Sequence, residues 1–234
     1  MKTQKLLGYE LVEVCSSFKT NKSENGRNEL SEETKRTLTA IVDRFLLDIS
    51  LETSKLTLFH LVNNNRSITM DLFSQNIEEY ISLRVAQSVT SSFNEGLENV
   101  ICQFSKVLIK AQGGQVFENP EPFDLKFKLN GEEYVMDIKP TNEQNSYNIQ
   151  TLEEHISRAE KAEIKYRLCL YDFNHQTDES YILNGEDFWK LISGIENAKT
   201  LLFKLINGAA NRLSISSIIR ETKFRFINEW RMKD

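Results

Sequence analysis

The sequence predicts an α/β protein: a mixed β-sheet flanked by helices and preceded by an N-terminal helical region. Three features predict it. After Gly113-Gly114 the spacing of apolar residues changes from a helical period to strict alternation, and these two periods belong to helix and strand. Asn130-Gly131 then separates two alternating runs, and this dipeptide favours the two-residue turn of a β-hairpin. Residues 166–173 (YRLCLYDF) are apolar on both faces, which suits a central strand covered from above and below. A hairpin followed by a helix and another strand requires a mixed sheet with helices on both sides.

The elements follow in order. Residues 1–30 open with a short apolar stretch and pass into the polar segment 19–28, expected to be a loop. Ser31 is a good N-cap with Glu32 and Glu33 behind it, and Leu38, Ile41, Val42, Phe45, Leu46 and Ile49 form the stripe of an amphipathic helix. A second helical stretch is expected over 51–62, ending at Asn63-Asn64-Asn65, and a third from about Asn76 with Ile77, Ile81 and Val85 on one side. The fourth stripe, Phe93, Leu97, Val100, Ile101, Phe104 and Leu108, is the clearest and ends at the paired glycines. Residues 115–118 are expected to form a short strand, and Asn119-Pro120-Glu121-Pro122 a rigid turn. From Phe123 the chain alternates, with Phe123, Leu125, Phe127 and Leu129 on one face and Asp124, Lys126 and Lys128 on the other. The return strand runs over 132–139 and stops at Pro140. A polar loop leads to a helix over 148–163 with Leu152, Ile156 and Ala159 inward, and then to the buried strand. Helices over 185–193, 195–206 and 217–230 complete the chain.

At 234 residues, 40% hydrophobic and 27% charged, the composition is that of one globular domain. Within it, 1–92 is mostly helical, 93–194 forms the core and 195–234 supplies C-terminal helices. No apolar run approaches a bilayer span and the N-terminus lacks the pattern of a secretory signal, so a cytoplasmic protein is expected. Cys15, Cys102 and Cys169 have no paired spacing and are expected to be reduced thiols, at least two of them buried. His60, His155 and His175 are scattered and read as solvated or packed histidines rather than as a ligand set. The net charge of −5 gives no bulk attraction to nucleic acid, so such contacts require local basic patches.

The chemistry resides in the hairpin. With Asn130 and Gly131 as loop residues, Leu129 faces Glu132 and Asp124 lies opposite Asp137, with Lys139 pointing the same way. Two like charges in this position destabilise a sheet, and a divalent cation removes the conflict. Hard oxygen ligands favour magnesium, which keeps bound water available as a nucleophile. A nearby lysine can stabilise the negative charge that develops on a phosphate. An acid-x-lysine pattern occurs five times, at Glu33, Asp124, Asp137, Glu163 and Glu221, and position selects Asp137; the pairs at Glu33, Glu163 and Glu221 fall in expected helices.

Pro122-Phe123-Asp124 followed after twelve residues by Asp137-Ile138-Lys139 resembles the PD-(D/E)XK nuclease superfamily, and the size and layout are similar to type II restriction endonucleases. The resemblance covers roughly residues 94–194. It implies a restriction-endonuclease-like core, with Asp124 and Asp137 holding Mg2+, Lys139 activating or orienting the attacking water, and an acidic residue on the preceding helix joining the metal shell. Glu98 matches that position, with Glu95 as the alternative. Gly185-Glu186-Asp187-Phe188-Trp189 also resembles a helix start of some of these enzymes. Phe123 between the proline and the aspartate, and aspartate rather than glutamate at 137, are departures that leave the chemistry intact.

The resemblance implies double-stranded DNA as substrate and a homodimer, since a symmetric site cut on both strands calls for two active sites about a twofold axis. Asn142 and Asn145 in the polar loop, and Arg212, Ser216 and Arg220 in the locally basic tail, are candidate DNA contacts. A Holliday-junction resolvase or repair nuclease is the alternative within the enzyme class. A non-catalytic helical interaction protein is the alternative outside it.

Overall fold

The computed structural model of the chain describes residues 21–22, 28–63, 77–139, 149–171, 180–195 and 198–232. It is an α/β structure around a five-stranded mixed sheet. Short strands β1 (Asn21–Lys22) and β2 (Asn28–Glu29) pair antiparallel where a loop was expected.

Helix α1 (Glu32–Lys55) starts where the cap predicts, with Ser31 Oγ accepting from the Thr34 amide at 3.1 Å. It continues through Ser50 and Leu51, so the expected break near residue 50 is absent and the next helix, α2, is only Leu58–Asn63. Helix α3 (Ile77–Ala111) joins two stretches that the sequence reading kept apart. Residues 86–93 contain no glycine or proline to stop it, and Val89 carries the stripe across by packing on the apolar clusters of both halves. Its end matches the signal: Gly113 has φ +83°, and the amides of Gly113 and Gly114 return to the carbonyls of Lys110 and Ile109. Gly96 allows α3 to approach α1, because a Cβ there would come within 2.5 Å of the Phe45 ring.

β3 (Gln115–Val116), β4 (Leu125–Leu129) and β5 (Glu132–Lys139) are antiparallel. The β4–β5 register runs from Leu129↔Glu132 to Leu125↔Met136, the pairing that the turn imposes, with Asn130 at φ +52° and Gly131 at φ +85°. Helix α4 (Ile149–Lys161) crosses to β6 (Lys165–Leu170), which lies parallel to β5 and is followed by the parallel β7 (Ile182–Leu183). The order β3-β4-β5-β6-β7 places β5 at the centre. Helix α5 (Gly185–Ser193) is capped by Asn184 and ends at Gly194. Helix α6 (Ala198–Arg212) runs through Asn207-Gly208, where a stop was expected, and α7 (Ile215–Arg231) follows.

Helices cover both faces of the sheet. Leu125, Phe127, Met136, Ile138 and Cys169 pack with Ile101, Phe104 and Leu108 of α3 and with Phe188 and Ile192 of α5. Val135, Tyr166 and Leu168 on the other face pack with Leu152, Ile156 and Ala159 of α4. Each large apolar side chain removed from water in this way stabilises the fold by about 1.5–3 kcal/mol. A third cluster joins α2, the N-terminal half of α3 and α7 through Leu58, Leu61, Ile81, Val85, Phe226 and Ile227. Cys102 and Cys169 are buried thiols, as expected. Among the described residues no helix is long and apolar enough to cross a membrane.

Candidate active site

The candidate residues meet at the C-terminal end of β5. Lys139, its last residue, directs Nζ to Glu98 Oε2 at 3.0 Å and to Asp124 Oδ2 at 3.7 Å. Glu98 is therefore the acid of α3 that reaches the cluster. Glu95 instead accepts a hydrogen bond from Ser91 Oγ on the exposed side of the helix.

Asp124 is held by three contacts. Its amide donates to the Met136 carbonyl at 3.1 Å, its Oδ2 accepts from the Ile138 amide at 2.8 Å, and its carbonyl accepts from the Cys102 thiol at 3.2 Å. This corrects one detail of the expected geometry. Regular pairing stops at Leu125↔Met136, so Asp124 is not a ladder partner of Asp137. Its backbone turns toward Met136, and its carboxylate lies over the amide beyond Asp137. Phe123 is displaced by the same departure. It was expected on the face of Leu125, yet it packs on the opposite face, with its ring 5.1 Å from that of His155 and 6.2 Å from that of Tyr166. A turn closed by the Phe123 amide on the Pro120 carbonyl breaks the alternation at this point.

Asp137 is 7% exposed, and its Oδ2 receives both His155 Nδ1 and the Tyr166 hydroxyl, each at 2.7 Å. Sequence reasoning missed both partners. In the sequence His155 is one of three scattered histidines, although it falls on the inward stripe of Leu152, Ile156 and Ala159. Tyr166 is identified only by the parallel register, which pairs it with Val135 and so turns it to the same face as Asp137.

Charge is concentrated on Lys139. Burial alone would favour its neutral form, but Asp124, Glu98 and Asp137 outweigh burial and hold its pKa above the ordinary lysine value. At neutral pH it is a fixed cation. The free acceptors around it are carboxylate oxygens, the hard donors that magnesium takes. Among the described residues, Oδ1 of Asp124 and Oδ1 of Asp137 accept no hydrogen bond. No group of three or more His, Cys, Asp or Glu among these residues is close enough to enclose an ion. The set fits a cation held by one or two carboxylates, with water and substrate phosphate completing the shell, which is how magnesium is commonly bound.

The candidate DNA contacts lie elsewhere. Arg212 pairs with Asp43 of α1, whereas Ser216 and Arg220 are exposed on α7. Through Phe226 and Ile227, α7 packs on the Ile81–Val85 part of α3, about 20 Å along the helix from Glu98. Asn142 and Asn145 lie outside the described residues. In comparisons with known proteins, no family model, no curated protein and no solved structure matches the chain.

Proposed function

We propose that the chain is a Mg2+-dependent endonuclease that hydrolyses phosphodiester bonds of double-stranded DNA in the manner of a type II restriction enzyme. The observation that carries this reading is the meeting of Glu98, Asp124 and Lys139 at the end of the strand that also bears Asp137. The order of elements supports it: a long helix, a hairpin, a crossover helix and a further strand. This is the order that the resemblance to PD-(D/E)XK nucleases implies.

In this reading Asp124 and Asp137 hold the metal and Glu98 assists at its shell. Bound magnesium supplies a Lewis acid for a phosphate oxygen and a water that ionises more readily. Lys139, kept cationic by its three acids, stabilises charge on the phosphate and orients the attacking water rather than abstracting its proton. A homodimer would present two such centres to a symmetric duplex.

The test is plasmid cleavage in Mg2+ and in chelator, with Asp137→Ala beside the wild type. Cutting that requires Mg2+ and falls at least about 100-fold in the variant is expected. No Mg2+-dependent cutting of varied DNA refutes the enzyme, and equal cutting by the variant refutes the site. Fragments with fixed ends favour a restriction enzyme, and nicking only at branched or damaged DNA favours a resolvase or repair nuclease. A non-catalytic interaction protein gains support from one observation: Lys139, His155 and Tyr166 already partner all three acids. That reading requires Mg2+ to bind no better to the wild type than to Asp137→Ala.

A further inference from the structure

We infer that His155 and Tyr166 are positioning residues that clamp Asp137 by Oδ2, so that only Oδ1 is presented to a divalent cation; this rests on the proposed function.

Asp137 is almost sealed from solvent, and a buried carboxylate must be hydrogen-bonded. Donors that only compensated for burial could be shared between its two oxygens. Here both of them, from different elements, converge on Oδ2, the imidazole from α4 and the phenol from β6. Oδ1 accepts nothing from the described residues. Nor is it a sealed polar atom without a partner, since among the described residues those are Tyr80 Oη and Trp189 Nε1. One oxygen is saturated and the other left free.

The clamp is rigid. The 2.7 Å contact with Asp137 Oδ2 fixes the orientation of the imidazole through Nδ1. The Phe123 ring meets the imidazole edge-on at 5.1 Å, which limits its rotation. Tyr166 is fixed by the β5–β6 register. The carboxylate plane is therefore anchored at two points by the crossover unit that follows β5. Hydrogen bonds that orient a ligand in this way characteristically govern metal affinity.

The experiment is calorimetric titration of the DNA-free protein with Mg2+ alone, with melting temperatures recorded in Mg2+-free buffer. Tyr166→Phe removes one donor while keeping the ring, and His155→Leu removes the other. His155→Asn keeps an amide nitrogen near the position of Nδ1. Tyr166→Phe and His155→Leu are each expected to weaken Mg2+ binding by about 10-fold or more, and His155→Asn to recover most of the loss. A purely structural role would lower the melting temperature without this pattern of rescue. Wild-type Mg2+ affinity in both Tyr166→Phe and His155→Leu overturns the clamp and leaves the nuclease reading standing. Mg2+ binding that is undetectable, or unchanged by Asp137→Ala, overturns both.

Discussion

Lys139 is the residue on which the candidate site turns, because its ammonium group answers the charge of Glu98, Asp124 and Asp137. Removing it leaves Glu98 and Asp124 without the cation they share at the end of β5. Lys139→Gln is expected to lose about 1.5–3 kcal/mol of stability in Mg2+-free buffer, the range for a hydrogen bond to a charged group. Added Mg2+ should restore part of this if the acids hold it, because a ligand of the folded state stabilises that state. The pH dependence has a definite sign. A lysine whose folded pKa is raised contributes stability that is fully present below its ordinary value and is lost as pH rises through the folded value. The gap between wild type and Lys139→Gln in denaturant midpoints should thus hold steady from neutral to about pH 10 and narrow above it. A gap that already closes below pH 9 would contradict a raised pKa.

At the scale of elements, the hairpin aligns the site and its turn sets the register. Asn130 and Gly131 both have positive φ, and a Cβ on Gly131 would meet nothing within 4 Å, so the preference for glycine there is purely conformational. Gly131→Ala is expected to destabilise the protein by about 1–2 kcal/mol, read as a lower denaturant midpoint with an unchanged slope. Because no packing is lost, any Mg2+ binding should survive wherever the variant is folded. A larger loss, or a changed slope, would mean that the turn does more than orient the strands. The hairpin was legible in the sequence because its determinants are local: a two-residue turn and a period of two. Helix lengths were less legible. The mostly polar stretch 86–92 looks like a gap between helices, yet it continues one helix whose Val89 stays in contact with both clusters.

For the whole molecule, the net charge of −5 means that the DNA binding required by the proposed function would have to come from local cations. Arg220 is exposed on α7, whereas Arg212 is already paired with Asp43. Under the proposed function, Arg220→Ala should weaken DNA binding and reduce the slope of log affinity against log salt by about 1, with Arg212→Ala having the smaller effect. Binding curves over a series of salt concentrations would show this, and the reverse order would place the duplex on the α1–α6 side of the protein instead. The two apolar clusters that meet at Val89 make α3 the common support of the α7 surface and of Glu98. A duplex gripped through α7 would thus be referred to the candidate site by one helix.

The sequence alone determined the α/β class, the hairpin with its register from Leu129↔Glu132 to Leu125↔Met136, and Asp124, Asp137 and Lys139 as candidates, since each is encoded over a few neighbouring residues; between Glu98 and Glu95 it did not choose. Only the tertiary structure decided what those side chains face. Glu98 and Lys139 are forty-one positions apart and meet because α3 packs against the sheet. His155 and Tyr166 converge on one oxygen of Asp137 because α4 lays its inward stripe on the sheet face to which the parallel β5–β6 register turns both Asp137 and Tyr166. A periodic pattern specifies which face of an element is turned inward. The partner it meets there is set by packing between elements distant in the chain, and no local signal carries that information.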